Sequence, residues 1–252
     1  MRKNQLKEKF AKGGVAMGVT IHEPALQIIE VLGILGFDYI NIDCQHSPLS
    51  VETVVQMIRT AELRGLTPLV RVPQNLSEVI LRYLDVGAMG IFVADMDSAE
   101  QAKKAVRAVK YPPVGERGLA PVRTADFGLK EPLAEYVKIA NVETMVLGVL
   151  ESREGVENID EILGTEGLDG VIIGTNDLSK SLGVPGQTNH PEVLKAVDKI
   201  LAVGKKTGKV IGGPVRKGET PRQYFDKGFR FASVGLVGLV AEAGKRYLDS
   251  GR

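Results

Sequence analysis

Residues 37–72 read FDYINIDCQHSPLSVETVVQMIRTAELRGLTPLVRV, and this stretch alone indicates how the chain folds. It begins with an apolar, β-branched run, Phe37–Asp43, and ends with a second one, Pro68–Val72. Between them, Val51–Arg64 carries apolar residues at helical spacing, and Gly65 follows directly, where a helix would end. A strand, a helix and a second buried strand in this order predict one β–α–β unit of a parallel sheet.

The same unit recurs along almost the whole chain, because short runs dense in Val and Ile alternate with helical patterns. The predicted strands are Val15–Ile21, Phe37–Asp43, Pro68–Val72, Gly90–Val93, Thr144–Leu150, Gly170–Ile173, Lys209–Gly212 and Phe231–Val234. The predicted helix-ending glycines are Gly36, Gly65, Gly87, Gly167, Gly208 and Gly228. Eight strands and eight helices, evenly spaced and without a linker, predict an α/β protein with one (β/α)8 TIM-barrel domain over residues 1–252, rather than a doubly wound sheet.

Composition narrows the classes of function. The net charge of +1 provides no electrostatic attraction for nucleic acid or anionic lipid. With no Trp and 5% aromatic residues, a base-stacking surface is not expected either. The single Cys44 excludes an intrachain disulfide and a cysteine-rich metal site. The first residues are charged and lack the apolar run of a signal peptide, and no apolar stretch approaches the roughly 18–20 residues of a membrane span. We therefore expect a cytoplasmic protein that acts on small molecules, without nucleic-acid or membrane partners.

Candidate chemistry lies at the C-terminal ends of the predicted strands, where TIM barrels carry their active sites. Those ends hold Asp43-Cys44-Gln45-His46 after the second strand, Arg71 in the third, Glu151 after the fifth and Gly174-Thr175-Asn176-Asp177 after the sixth. Two separated carboxylates without a Cys/His cluster suit a hard divalent ion such as Mg²⁺ or Mn²⁺. Such an ion stabilises the enolate of a 2-keto acid. Arg71 would add positive charge to the enolate oxygen, and His46 is the expected proton-transfer group.

Each of these residues also has a structural interpretation. A strand-end carboxylate can cap the next helix, a strand-end arginine can serve an ion pair, and His46 can begin the helix that follows. Convergence of one His, one Arg and two carboxylates on one rim favours the chemical interpretation. His22, near the end of the first strand, is expected to be structural rather than to touch substrate, and His190, before a helix-starting proline, is expected at the surface.

Several segments of the sequence resemble the HpcH/HpaI family of aldolases, in order and without large gaps, from about residue 13 to about residue 245. Gly36–Pro48 resembles the segment with the catalytic histidine, and Pro68–Pro73 resembles the arginine strand. The remaining similar segments are Leu84–Ala88 with an aspartate, Tyr111–Gly118 in the mid-chain loop, and the two metal-ligand motifs Glu151–Gly155 and Gly170–Ser179.

The resemblance implies a class II, pyruvate-type aldolase. Such an enzyme reversibly cleaves a 4-hydroxy-2-keto acid to pyruvate, or a close 2-keto acid, and an aldehyde. It implies metal ligation by Glu151 and Asp177 with Mg²⁺, Mn²⁺ or Co²⁺, and oxyanion stabilisation by Arg71. It also makes His46 the base, with Asp85 raising its basicity.

The resemblance also implies how substrate is bound and how the protein assembles. Gly174, Thr175, Asn176 and Asp177 fall where the family contacts substrate. The family relationship implies a homo-hexamer, a trimer of dimers, in which the last helix, here Val237–Leu248, packs against a neighbouring barrel. The apolar face of this helix would serve equally well inside a monomer, so the sequence leaves both arrangements open.

Four positions depart from the family pattern. Gln45 stands where many members have Glu, and Val149 stands where Gln is common. Gly174-Thr175-Asn176 replaces Gly-Pro-Ala or Gly-Pro-Ser, and Asp95 replaces an apolar residue. All lie near the expected pocket, so they bear on substrate identity more than on reaction class.

Three other functions remain open at this level. A carbon–carbon lyase acting on an acyl-CoA, as in citrate-lyase-like relatives, would need a basic groove, for which Arg117 and Arg123 are the candidates. A Schiff-base aldolase requires a lysine at a strand end, and the nearest is Lys217, beyond the seventh strand. The departures at Gln45 and Val149 also leave open a catalytically inactive barrel that serves as a binding protein.

Overall fold

The computed structural model describes residues 1–216 and 218–251. Eight parallel strands form a closed barrel in chain order, with β8 paired to β1. The strands are β1 Ala16–Ile21, β2 Tyr39–Asp43, β3 Thr67–Val72, β4 Gly90–Val93, β5 Met145–Leu150, β6 Gly170–Ile173, β7 Val210–Pro214 and β8 Phe231–Gly235. Each coincides with a predicted run to within two residues at either end. The prediction of a single TIM-barrel fold is confirmed.

Twelve α-helices lie in the described residues, rather than the eight predicted. They are α1 Gln5–Ala11, α2 Leu26–Ile34, α3 Val51–Leu63, α4 Ser77–Val86, α5 Ala99–Val109, α6 Leu133–Glu143, α7 Arg153–Glu157, α8 Ile159–Leu163, α9 Thr175–Ser181, α10 Pro191–Thr207, α11 Pro221–Asp226 and α12 Leu236–Ser250. The difference arises because α1 precedes the barrel, and the connections after β4, β5 and β6 contain two helices each. The segment between α5 and α6, which contains the mid-chain loop Tyr111–Gly118, is irregular apart from a 3-10 helix at Arg123–Gly128.

Helix ends follow local signals in the sequence. Ser98 and Gln101 form a capping box at the start of α5, which satisfies backbone N–H groups that have no partner within the helix. At the end of α10, Gly208 adopts the left-handed conformation, with φ of 70°, which terminates the helix. All six predicted helix-ending glycines have positive φ. Five of them end a helix, whereas Gly167 lies in the turn between α8, which ends at Leu163, and β6.

The inside of the barrel is filled by large side chains. Tyr39 and Phe231 stack with ring centroids 4.2 Å apart, and Phe92 packs edge-on against Phe231. Helix α1 adds Leu6 and Phe10 to this cluster from the N-terminal end. A side chain at Gly18 would collide with the Tyr39 ring, so this glycine allows the ring to cross the barrel. Because the interior is packed, a ligand must bind outside it, and in TIM barrels the active site lies at the C-terminal mouth.

Helix α12 packs poorly against its own barrel. Leu236 is its one buried residue within the described range, whereas Val237, Val240 and Tyr247 are 66%, 61% and 80% exposed. Val237 and Val240 line an open apolar groove together with Leu26 of α2. The predicted apolar face is therefore present but has no partner within the described part of the chain. None of the described helices has both the length and the apolar character needed to span a bilayer.

Candidate active site

Asp43 is the deepest polar group at the C-terminal mouth and is fully buried. The strand register places it beside Arg71, whose Nη2 donates to Asp43 Oδ2. His22 Nε2 lies 3.1 Å from the same oxygen. The other oxygen, Oδ1, accepts the backbone N–H groups of Gln45 at 2.9 Å and His46 at 3.0 Å. One carboxylate therefore organises the rim formed by β1, β2 and β3.

The charge state of this network follows from its contacts. Burial alone would raise the pKa of Asp43, but hydrogen bonds from the Arg71 guanidinium and from the two backbone N–H groups outweigh it and lower the pKa. Asp43 is therefore ionised and holds the Arg71 cation in place, with that side chain 15% exposed. Within the described residues, Arg71 Nε has no hydrogen-bond partner. One donor of the guanidinium thus remains for a bound oxyanion.

Glu151 and Asp177 lie on the opposite part of the rim, after the neighbouring strands β5 and β6. Burial and the nearby charges of Asp95 and Asp177 raise the pKa of Glu151 to about 7, despite a backbone hydrogen bond from Asp95. A side chain at position 174 would come within 2.7 Å of Glu151 Oε2, so Gly174 keeps that oxygen accessible. This corner concentrates negative charge that a divalent cation would neutralise.

The donor set fits a hard, partly hydrated divalent ion. Carboxylate oxygens are the ligands that Mg²⁺ and Mn²⁺ prefer. Over residues 1–216 and 218–251, no three His, Cys, Asp or Glu side chains form a closed cation cage. An ion held by Glu151 and Asp177 alone would keep water positions open to a bidentate substrate.

A hydrogen bond joins the loop after β4 to the loop after β5, and Asp95 lies beside Glu151 in this region. Ser152 Oγ donates to Asp97 Oδ1 and caps α7 by accepting the Gly155 N–H at 2.9 Å. Asp95 itself has a positive φ of 52° and is exposed. This departure from the family pattern therefore adds a negative charge next to the predicted metal ligand.

The other two single-residue departures have different surroundings. Val149 is buried inside the barrel and packs with the interior cluster. The Gln45 side-chain oxygen is buried and has no hydrogen-bond partner in the part of the chain that the structure describes. Gln45 therefore leaves a neutral polar group beside Asp43, where a glutamate would add a second charge.

The structure does not join Asp85 to His46. Asp85 Oδ1 instead accepts a hydrogen bond from Arg117 Nη2 at 2.8 Å, and Arg117 is buried with its guanidinium 4.7 Å from the Tyr111 ring centroid. His46 is exposed, and its imidazole forms no hydrogen bond with any residue described. His46 therefore follows the second strand at the predicted rim. Asp85 contacts Arg117 rather than its predicted partner, His46.

Asp43 received no role from the sequence, and His22 was expected to be structural; the structure places both in one polar network with Arg71. For Asp43 the available signal was its position at the end of the second predicted strand, next to the strand that carries Arg71. Cys44, the next residue, is buried, which raises its pKa to about 11 and disfavours a nucleophilic thiolate. Lys217, the candidate for a Schiff base, lies outside the described residues.

Similar sequences and similar folds are found among known proteins. The sequence model of the HpcH/HpaI aldolase/citrate lyase family matches residues 21–242. A 5-keto-4-deoxy-D-glucarate aldolase of Klebsiella pneumoniae is 35% identical over 223 residues, which are 88% of this chain and 86% of that protein. A crystal structure of a family protein from Burkholderia cenocepacia superimposes with a TM-score of 0.93 at 30% identity, covering 99% of this chain and 100% of that one. A citrate synthase, SbnG, superimposes with a TM-score of 0.88 at 31% identity, covering 98% and 96%.

Proposed function

Because this chain belongs to the HpcH/HpaI aldolase/citrate lyase family, we propose that it is a divalent-metal-dependent aldolase. In this proposal it reversibly cleaves a 4-hydroxy-2-keto acid to pyruvate, or a close 2-keto acid, and an aldehyde. One observation carries it: Arg71, half-buried and paired with Asp43, lies on the same mouth as the carboxylates Glu151 and Asp177. A divalent cation bound by the two carboxylates, and the fixed guanidinium, would together supply the positive charge that stabilises an enolate.

Glu151 and Asp177 are the proposed metal ligands. When bound there, Mg²⁺, Mn²⁺ or Co²⁺ would act as a Lewis acid toward the carboxylate and ketone oxygens of the 2-keto acid. The backbone of Gly174, Thr175 and Asn176, together with Asp177, is the proposed binding segment for the substrate carboxylate.

Arg71 and His46 are the proposed catalytic side chains. Arg71 would donate to the oxygen that becomes negative as the carbon–carbon bond breaks, and Asp43 fixes its position. His46 would remove the proton of the C4 hydroxyl, and the hydrogen bond from its backbone N–H to Asp43 fixes the start of its loop. Asp85 is proposed to raise the basicity of His46, and this role requires that the pair between Asp85 and Arg117 rearranges.

A cleavage assay tests the proposed function. Candidate 4-hydroxy-2-keto acids, beginning with the 5-keto-4-deoxy-D-glucarate named for the relatives, are incubated with the protein, and pyruvate is measured with a coupled dehydrogenase. We expect pyruvate formation that EDTA abolishes and Mg²⁺, Mn²⁺ or Co²⁺ restores. Glu151→Ala and Asp177→Ala should lose metal binding and turnover together, while the exposed control Glu157→Gln keeps both. Full activity in a metal-stripped sample would contradict the proposal.

A carbon–carbon lyase or synthase that uses an acyl-CoA is the second candidate, favoured by the likeness to a citrate synthase. It has less support than the aldolase, because the two arginines expected to bind phosphates are engaged elsewhere. Arg117 pairs with Asp85, and Arg123 pairs with Glu62. Adding oxaloacetate with acetyl-CoA to the substrate panel, and measuring released CoA thiol, distinguishes the two candidates.

We also propose that the enzyme is a cytoplasmic homo-oligomer, a hexamer built as a trimer of dimers. The exposed apolar face of α12 and the adjoining groove at Leu26 support this assembly, because a large unpartnered apolar face marks an interaction surface. The proposed occupant of that surface is a neighbouring barrel of the same chain.

A further inference from the structure

The imidazole of His22 belongs to the Asp43 network. His22 directly follows β1, and its Nε2 lies 3.1 Å from Asp43 Oδ2, the oxygen that also accepts Arg71. Its side chain is 40% exposed, so the ring touches a buried carboxylate on one side and remains accessible from the mouth. A carboxylate in contact with an imidazole is the arrangement that orients a histidine for proton transfer.

This contact determines which ring nitrogen of His22 is available. Asp43 is ionised and accepts hydrogen bonds only, so a proton on Nε2 makes its 3.1 Å contact with Asp43 Oδ2 favourable. Neutral His22 therefore has its lone pair on Nδ1. Among the described residues, none donates a hydrogen bond to this atom. Nδ1 is thus positioned as an acceptor in neutral His22 and as a donor in the imidazolium.

The proposed reaction needs two proton transfers at two different atoms. In cleavage, the C4 hydroxyl loses its proton, the C3–C4 bond breaks, and its electron pair forms the enolate of the 2-keto acid. The enolate must then gain a proton at C3 to become the methyl group of pyruvate. His46 is proposed to take the proton of the C4 hydroxyl, so a different group must donate the proton that C3 gains.

We propose that His22 transfers the proton at C3, an inference that rests on the proposed function. In cleavage, the Nδ1–H bond of the imidazolium breaks, the C3–H bond forms from the enolate electron pair, and the C2 carbonyl re-forms. His22 is left neutral and regains a proton from water. In condensation the same steps run backwards, and Nδ1 takes a proton from the methyl group.

Geometry favours His22 over His46 for the carbon atom. His22 and Arg71 share one oxygen of Asp43, so the group proposed to touch the enolate oxygen is an immediate neighbour of the His22 ring. His46 contacts Asp43 only through its backbone, and its ring is exposed. The structure therefore places the His22 ring, through the shared oxygen of Asp43, next to the guanidinium proposed to hold the enolate.

Hydrogen exchange into pyruvate isolates this step, because it requires proton transfer at C3 but no hydroxyl. Pyruvate is incubated in D₂O with the protein and the divalent ion that supports its activity, and deuterium in the methyl group is measured by mass spectrometry. His22→Gln keeps an N–H donor for Asp43 and lacks a titratable ring, so exchange should fall by roughly 10²–10⁴-fold. His46→Gln should lose more cleavage than exchange. His190→Asn, at the start of α10, keeps a capping side chain and serves as the control.

Decarboxylation of oxaloacetate gives a second measurement, because loss of CO₂ produces the enolate without either histidine. His22→Gln should lose far less decarboxylation than exchange. Exchange at the wild-type rate in His22→Gln would overturn the inference. Equal losses of exchange and decarboxylation would also overturn it, because His22 would then only hold Asp43 and Arg71 in position. A wild-type protein with neither exchange nor metal-dependent cleavage would instead overturn the proposed function.

Discussion

Replacing Glu151 by Gln should stabilise the metal-free barrel, and the gain should set in above the usual carboxyl pKa of 4.5 and grow until the pH reaches about 7. Burial and the charges of Asp95 and Asp177 raise the pKa of Glu151 from 4.5 to about 7. Between these values the folded protein binds more protons than the unfolded chain, so the free energy of unfolding falls as the pH rises through this window. A difference of about 2.5 pKa units corresponds to about 3 kcal/mol at 1.36 kcal/mol per unit. The open mouth admits solvent that screens these charges, so we expect about 1–2 kcal/mol.

Thermal unfolding in EDTA measures this effect. At pH 8, Glu151→Gln should melt about 2–8 °C above the wild type, from about 2–4 °C per kcal/mol for a chain of this size. At pH 4 the difference should vanish, because the carboxyl is then protonated in both the folded and the unfolded state. Glu157→Gln, which removes an exposed carboxylate on α7, is the matched control and should shift neither melting temperature. Added Mg²⁺ should stabilise the wild type but not Glu151→Gln.

Two results would refute this reasoning. A Glu151→Gln variant that is less stable than the wild type at pH 8 would show that the carboxylate is favourable in the folded state. A gain of equal size at pH 4 and pH 8 would show that packing, rather than charge, produces the difference.

His46→Ala should lower aldol cleavage by roughly 10²–10⁴-fold while lowering oxaloacetate decarboxylation far less, because decarboxylation removes no hydroxyl proton. Equal losses of cleavage and decarboxylation in His46→Ala would contradict the role of His46 as the base. Arg71→Ala should lower both rates, since it removes charge stabilisation that both enolates need. Val240→Asp, on the exposed face of α12, should dissociate the proposed oligomer in light scattering at micromolar concentration, and a monomeric wild type would contradict that assembly.

The barrel strands were predictable because burial on both faces leaves a nearly continuous run of Val and Ile in each strand. Helices α7 and α8 were not predictable as two separate helices, because they have five residues each and are too short to show helical periodicity. Their ends instead depend on local contacts, such as the Ser152 side chain that caps α7.

In the site, Arg71, Glu151 and Asp177 were predictable as rim residues, because the end of a strand is a property of the fold. The contact between His22 and Asp43 was not, because it depends on the register of β1 against β2 and on the side-chain conformations at the mouth. The ion pair between Asp85 and Arg117 was missed for a related reason. Arg117 lies in an irregular loop whose path no periodic pattern specifies.

Helix α1 closes the N-terminal end of the barrel with Leu6 and Phe10, above an interior that Tyr39 and Phe231 already fill. Reactants and products of the proposed reaction must therefore use the same opening. If the 2-keto acid lies deeper, against Arg71, as proposed, the aldehyde would lie between it and solvent. Cleavage would then release the aldehyde first and the keto acid second, and condensation would load them in the reverse order. Pyruvate would accordingly compete with the uncleaved substrate for the free enzyme, whereas the aldehyde would bind only after pyruvate is in place.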